Sequence, residues 1–390
     1  MRIVATVFLI FLLVLVISSG QKVFASDFEL DIKSAILIEA ETGQVLYEKN
    51  ADEKLPPASL TKIMTMLLAM EKVKEGTVSL DDKINISKFA ESMGGSQIFL
   101  AANTRVKFSD LMEAVAIASA NDASVAIAET IGGSYSNFVN LMNKRADELG
   151  MENTYFSNST GLPAESDHHT TARDVTKMAR ELVRYPRVLE WTSTWVDYIE
   201  LPDRRAMLAN TNKLINKYPG MDGLKTGHTE KAGFCLAATA ERGMRLISVV
   251  MKGESEQERQ ELTTRLLDYG FNRFNKKITA EKGQLIHNIE IPEGEKIFTT
   301  GKLVSDLKVV VKRGNEEDLE TKVKLKDPIK PPIKKGEILG RKSVLRNGKI
   351  INSVEIAATE DIERANIVIR LWRSFKKWIL NLFGKNIEIQ

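Results

Sequence analysis

Ser59-Leu60-Thr61-Lys62 places a hydroxyl three residues ahead of an amine. In a helical turn, residues three apart share a face, so these two side chains can meet. A serine hydroxyl is a poor nucleophile until a base takes its proton. A lysine serves as that base only when burial or a neighbouring cation keeps it neutral. The spacing alone is weak, because Ser305–Lys308 and Ser374–Lys377 repeat it. A second group, Ser119-Ala120-Asn121, stands where an alanine-rich helical pattern breaks. Its hydroxyl could relay a proton to a leaving amine, and its carboxamide could donate and accept at once. Equally, these polar residues could satisfy a helix end. The third group is Lys225-Thr226-Gly227, followed by His228. It offers a cation, a hydroxyl and a glycine that lets another chain approach a strand closely. A strand end running into a turn would look the same.

The surrounding pattern predicts what must position these groups. Ser34–Glu39 and Gln44–Lys49 read as strands joined by a turn at Ala40-Glu41-Thr42-Gly43. From Ser59 the periodicity is helical, with Ile63, Met66, Leu67 and Met70 on one face. Ser109 is expected to cap a second helix. Further helices are expected over Ser136–Leu149, Ala172–Leu182 and Glu256–Phe274, with strands over Phe234–Ala240 and Met244–Met251. Strands at both ends with helices between them predict an α+β domain built on an antiparallel sheet flanked by helices, spanning residues 28–274. Residues 276–358 change to short strands, lysines and a proline stretch, and predict a small all-β domain. Residues 361–385 predict an amphipathic helix. Leu371, Phe375, Trp378 and Leu382 share one side, and Arg370, Arg373, Lys376 and Lys377 lie on or flank the other. Such a helix suits a membrane interface, while packing on its own β domain is the alternative.

The three chemical groups occur in the order Ser-x-x-Lys, Ser-x-Asn, Lys-Thr-Gly, the signature set of penicillin-recognising serine enzymes. The chain resembles the low-molecular-mass penicillin-binding proteins, serine-type D-alanyl-D-alanine carboxypeptidases with a β-lactamase-like fold. The resemblance extends over Pro57–Thr65, Gly161-Leu162-Pro163, His169, Thr171–Asp174, Asp222–Thr229 and Ala232-Gly233, and the β domain and basic tail fit the family layout. It implies that Ser59 attacks the carbonyl between two terminal D-alanines of a peptidoglycan pentapeptide and forms an acyl-enzyme. Lys62 would take the proton and Ser119 would help pass it to the departing D-alanine. Asn121 would orient the peptide, and Lys225 and Thr226 would bind its carboxylate, beside Gly227. The backbone N–H groups of Ser59 and His228 would form the oxyanion hole. Arg259 aligns with an arginine used near the substrate carboxylate, although Glu254–Glu258 departs from the family's glycine-containing pattern. β-Lactam antibiotics would act as covalent inhibitors.

Three rival functions share parts of this reading. A β-lactamase would carry Ser-Asp-Asn and a deacylating glutamate. Here Ala120 is the middle residue, and Glu165 stands in a segment that matches the carboxypeptidases. A DD-endopeptidase would use the same motifs, and a non-catalytic cell-wall scaffold would carry them as relics.

The rest of the composition bounds the setting. The net charge of +3 over 390 residues shows no basic excess of the kind a nucleic-acid binder carries. Arg2, the apolar run Ile3–Ile17 and a small c-region ending Val23-Phe24-Ala25 predict a cleaved signal peptide over residues 1–25. An exported enzyme held at the outer face of the cytoplasmic membrane by its tail is therefore expected. Cys235 is the only cysteine and lies in an apolar run, so a buried hydrophobe is expected rather than a thiol nucleophile. His168 and His169 with Asp167 lack metal-ligand spacing, and His287 suggests nothing. Neither a metal nor a cofactor is expected.

Overall fold

The computed structural model describes residues 28–164, 167–314 and 319–382. The expected signal peptide, Glu165 and the end of the tail lie outside these residues. Residues 28–31 lie in a separate N-terminal unit and have no regular secondary structure themselves.

Strands β1 (Ser34–Glu39) and β2 (Val45–Lys49) form the expected hairpin, with Gly43 at φ 73° in its turn. A five-stranded sheet is completed by β3 (Met221–Thr229), β4 (Gly233–Glu241) and β5 (Arg245–Gly253), in the order β2-β1-β5-β4-β3. Each neighbouring pair is antiparallel. The inner strands are apolar on both sides because both faces are covered, which is why they read as continuous runs rather than alternating ones. Ile36, Ile38, Ile247 and Val249 join a core with the helices α1 (Lys62–Lys74), α2 (Phe108–Ile117), α3 (Asn121–Gly132), α4 (Tyr135–Glu148) and α5 (Ala172–Leu182). On the other face, Leu37 and Leu246 pack beneath Gly270 of α6 (Glu256–Arg273). A Cβ on Gly270 would come within 2.5 Å of Leu246, so a small residue is required there.

Side-chain caps set three of the helix starts. Ser134, Thr171 and Ser255 each accept a backbone N–H three residues on, starting α4, α5 and α6. Ser109 does not cap α2 as expected. The strand Arg105–Lys107 runs directly into the helix, and the Phe108 and Ser109 N–H groups go to the carbonyls of Asp82 and Leu80. With those donors satisfied by the chain, no side-chain cap is needed.

Beyond α6 the chain is all β until its tail. Strand β6 (Phe274–Ala280) pairs with β9 (Leu307–Lys312). A second sheet has the order β7-β8-β12-β11-β10, from Leu285–Glu290, Phe298–Leu303, Lys349–Ala358, Ile338–Arg346 and Glu320–Leu325. Val309, Val311, Val344 and Ile356 fill the core between the two sheets. This part is tied to the first hairpin by Gln44, whose amide bonds both the N–H and the carbonyl of Val310 at 3.2 and 2.9 Å. The tail helix, α7 (Ile367–Leu382), begins six residues later than expected. Residues 361–366 stay with the β domain because Ile362 pairs with Ile333 and the Ala365 N–H bonds Glu293.

Candidate active site

Ala58–Thr61 form one turn of 3-10 helix that runs into α1 at Lys62. Ser59 therefore stands at the mouth of the helix, and Lys62 one turn on, completely buried. The Lys62 Nζ is 3.0 Å from Ser59 Oγ, 2.6 Å from Asn121 Oδ1 and 2.8 Å from the Thr160 carbonyl. None of these three partners is a carboxylate. Burial holds the amine well below the ordinary lysine range, the Lys225 charge lowers it further, and Asp122 opposes.

The break between α2 and α3 brings in the second group. Ser119 takes φ 62° at this break and is buried. Asn121 opens α3, and its orientation follows from its partners. Its backbone N–H bonds Ser96 and its Nδ2 bonds Gly94, each at 2.7 Å, which leaves Oδ1 for Lys62. Asp122 is fully buried and accepts the N–H groups of Ile98 and Leu100 at 3.1 and 3.0 Å. The loop Ser92–Thr104 is thereby fastened to the same helix end that carries Ser119 and Asn121.

The third group lies on β3, at the edge of the sheet. Lys225 is buried, with Nζ 3.0 Å from the Thr226 carbonyl. Burial, then the Arg259 charge, lowers it to about 7. The Thr226 hydroxyl donates to Thr211 at 2.7 Å. Gly227 is the point of closest approach, since a Cβ there would stand 3.1 Å from the Ser59 nitrogen and from the Ala58 Cβ. His228 is exposed and stacks on Phe234 with ring centroids 4.1 Å apart. Arg259, on α6, bonds the Cys235 carbonyl at 3.4 Å and Glu256 at 3.2 Å. Its guanidinium is packed behind β4, and its charge is felt by Lys225. Cys235 itself is buried, and burial raises its thiol to about 11, which leaves it protonated at neutral pH.

Ser59, Lys62, Asn121, Lys225 and Gly227 thus lie within one linked cluster, while Arg259 reaches it only through its field. Residue types pointed to none of Thr160, Thr211 or Thr61. Thr160 contributes a carbonyl, which any residue could supply, and Thr211 a single hydroxyl outside any motif. Asp122 directly follows the Ser-x-Asn group and could have been read with it. Among the described residues, no group of three or more histidine, cysteine, aspartate or glutamate side chains is placed to hold a metal. His168 turns Nε2 to Thr61 at 2.8 Å, whereas His169 turns Nδ1 to Asp167 at 2.9 Å.

Comparison with known proteins agrees with this geometry. Residues 21–255 match the family described as D-alanyl-D-alanine carboxypeptidase, and residues 274–364 match the C-terminal domain of penicillin-binding protein 5. The chain is 41% identical over 356 residues to D-alanyl-D-alanine carboxypeptidase DacF of Bacillus subtilis, covering 90% of this chain and 91% of that one. It is 31% identical to DacA of Escherichia coli, covering 91% and 90%. Among solved structures, penicillin-binding protein 5 of Haemophilus influenzae superposes with a TM-score of 0.76 at 30% identity, over 86% of this chain and 99% of that one. Penicillin-binding protein D2 of Listeria monocytogenes, solved in an ampicillin-bound form, gives 0.57 at 33% identity over 63% of this chain and all (100%) of that one.

Proposed function

The chain belongs to the D-alanyl-D-alanine carboxypeptidase family, and from that premise we propose how its residues divide the work of a serine-type hydrolase that removes the terminal D-alanine of a peptidoglycan stem peptide. The observation that carries the assignment is the set of partners around Lys62. Two of them are carbonyl oxygens, which only accept. A neutral amine spends its two N–H bonds on Asn121 and Thr160 and turns its lone pair to the Ser59 hydroxyl. That is the arrangement of a base already aligned on its nucleophile.

As the Ser59 oxygen bonds to the carbonyl carbon of the penultimate D-alanine, its proton moves to Lys62. The carbonyl becomes an oxyanion facing the N–H groups of Ser59 and His228. Collapse of this intermediate breaks the C–N bond, and the proton passes by way of Ser119 to the leaving amine. Water then attacks the Ser59 ester, with Lys62 taking its proton, and releases the shortened peptide. The buried Lys225 ammonium and the Thr226 hydroxyl hold the terminal carboxylate, and Arg259 adds positive potential from behind the sheet. A β-lactam enters by the same first step, but its leaving nitrogen stays tethered.

The membrane role belongs to α7. Ile367, Val368, Leu371, Trp372 and Phe375 turn outward and are exposed. Arg373 faces the other way and bonds the Gly294 carbonyl at 2.7 Å, and Arg370 pairs with Glu293 at 3.4 Å. An apolar stripe facing away from its own β domain supports a helix lying in a membrane interface. No described helix is long and apolar enough to cross a membrane. The reading is an exported enzyme held at the outer face of the cytoplasmic membrane. Deleting residues from Arg370 onward should release it, and a truncated form that stays bound would show that another segment is the anchor.

The catalytic assignment is tested on a form lacking the tail, given a peptide ending in D-Ala-D-Ala. The expected result is D-alanine release and a penicillin adduct on the Ser59 peptide by mass spectrometry. An adduct elsewhere, or neither reaction, sinks it. Rapid penicillin hydrolysis would favour a β-lactamase instead.

A further inference from the structure

We propose that His168 is a positioning residue for the nucleophile, acting through Thr61 to hold the turn that presents Ser59. This rests on the assignment of Ser59 made above.

Ala58, just before Ser59, has φ 47°. For a residue with a Cβ this left-handed conformation is strained by ~1–2 kcal/mol, and it persists only where the surroundings over-determine it. Three contacts do so here. Gly161 backs directly onto the Ala58 carbonyl, where a Cβ would lie 1.7 Å from the oxygen. Gly227 closes the other side, where a Cβ would lie 3.1 Å from the Ala58 Cβ. Between them, the Thr61 hydroxyl donates to the Ala58 carbonyl at 2.8 Å.

The Thr61 hydroxyl has one hydrogen, and that contact uses it. Its contact with His168 Nε2 at 2.8 Å therefore requires the ring nitrogen to donate. The other ring nitrogen supplies an independent check. His168 Nδ1 lies 3.0 Å from the Ser157 backbone N–H, which can only donate, so Nδ1 is the unprotonated acceptor. Both ends of the imidazole thus require the same neutral tautomer with hydrogen on Nε2. The Ser157 N–H, the imidazole, the Thr61 hydroxyl and the Ala58 carbonyl form a chain of donors running one way. Burial holds His168 at about 4, with His169 adding to the depression and Asp167 opposing it, so the ring stays neutral at working pH. The neighbouring pair His169 and Asp167 is bonded to itself and takes no part in the chain.

The test uses the full-length protein and resolves penicillin acylation into initial binding and the covalent step by rapid mixing. His168→Leu and Thr61→Val should each slow the covalent step ~10- to 100-fold, the range a small misplacement of reacting groups produces. Initial binding should change less than roughly threefold. Because both act on one carbonyl, the double variant should be no slower than the slower single one. His168→Gln, which keeps an N–H donor within reach of Thr61, should recover most of the rate. Thermal melting of each variant separates this from unfolding. If His168→Leu does not fold, the split between Thr61→Val and His168→Gln decides. Additive losses, an unchanged covalent step in Thr61→Val, or a His168→Gln as slow as Thr61→Val would each overturn the proposal. A wild-type adduct away from Ser59 would instead sink the nucleophile assignment beneath it.

Discussion

The same four-residue spacing has opposite outcomes at Ser59–Lys62 and at Ser305–Lys308. Ser59 and Lys62 lie on one helical turn, and the amine is sealed from water among neutral oxygens. Ser305 is exposed in a bend of the β domain, and Lys308 lies in a strand. There the Lys308 amine is 2.8 Å from Glu41 and 3.5 Å from Asp306. The hydrogen bond to Glu41 raises Lys308 above the usual lysine range, against a smaller effect of burial, whereas burial drives Lys62 far down. A lysine becomes a base where water is excluded and no carboxylate is in reach. Spacing supplies only the chance that the two side chains meet.

The largest effects should separate the two places outright. Ser59→Ala removes the oxygen that forms the ester and should abolish covalent penicillin labelling, read by intact mass. Lys62→Met should slow labelling by ~10²- to 10⁴-fold, the usual loss for a general base. Ser305→Ala and Lys308→Met should label at the wild-type rate. Labelling that survives Ser59→Ala, or fails in Ser305→Ala, breaks the comparison.

A subtler test makes Lys62 resemble Lys308. Asn121→Asp would put a carboxylate where Oδ1 now lies 2.6 Å from the amine. An opposite charge favours the protonated lysine, by ~1–3 pH units for a close pair. The acid limb of kcat/KM should therefore move to higher pH, and activity at neutral pH should fall. Lys225→Met removes the repulsion that helps depress Lys62 and should shift the same limb in the same direction, by less. An unmoved limb in both variants would mean that Lys62 is not the group being titrated.

Much of this candidate site was legible in the sequence because the proposed reacting groups are side chains in short local runs. Ser59 and Lys62 share one turn, Ser119 and Asn121 one helix break, and Lys225 to His228 one strand. What escaped notice depends on distant chain segments returning. His168 is 107 residues from Thr61, and a histidine in a loop gives no sign of which nitrogen meets what. Thr160 acts through its carbonyl. Arg259 was expected near the carboxylate by resemblance, and the packing of α6 on β4 adds the Cys235 carbonyl and Glu256 as partners of its guanidinium, which no local pattern announces. The fold shows the same division. Most helices lie within a residue or two of their periodic patterns, while Ser109 and the start of α7 were misplaced because backbone pairing, absent from any local pattern, set those boundaries. The strand order of the β domain is likewise a matter of non-local pairing.

Lys225 sharpens the contrast from within the site. The carboxylate-binding role proposed for it requires charge, yet burial and Arg259 bring it to about 7. A lysine is charged below its pKa, so affinity for a carboxylate substrate should fall as pH rises past about 7. This loss should appear in kcat/KM, which reports the free enzyme. In kcat it should come at higher pH, because a bound carboxylate raises the lysine. Coincident alkaline limbs in the two profiles would exclude Lys225 as the carboxylate's partner.

The smallest effect belongs to the surface network that keeps Lys308 charged. Burial raises the Glu41 carboxyl, but hydrogen bonds and charges from Lys308 and Lys276 outweigh it, so the net position is below the ordinary glutamate value of 4.5. A carboxylate depressed in the folded state adds stability above its unfolded pKa and loses it as pH falls through the folded value. Glu41 is half exposed, so screening limits the gain to ~1 kcal/mol or less. Glu41→Gln should lower the urea midpoint slightly at pH 7, and the difference from wild type should shrink and vanish as pH falls and the folded carboxyl becomes protonated. Penicillin acylation should be untouched at either pH where the protein is folded. A Glu41→Gln that slowed acylation would mean the two lysine environments are coupled through the sheet, and that the contrast between them is not local.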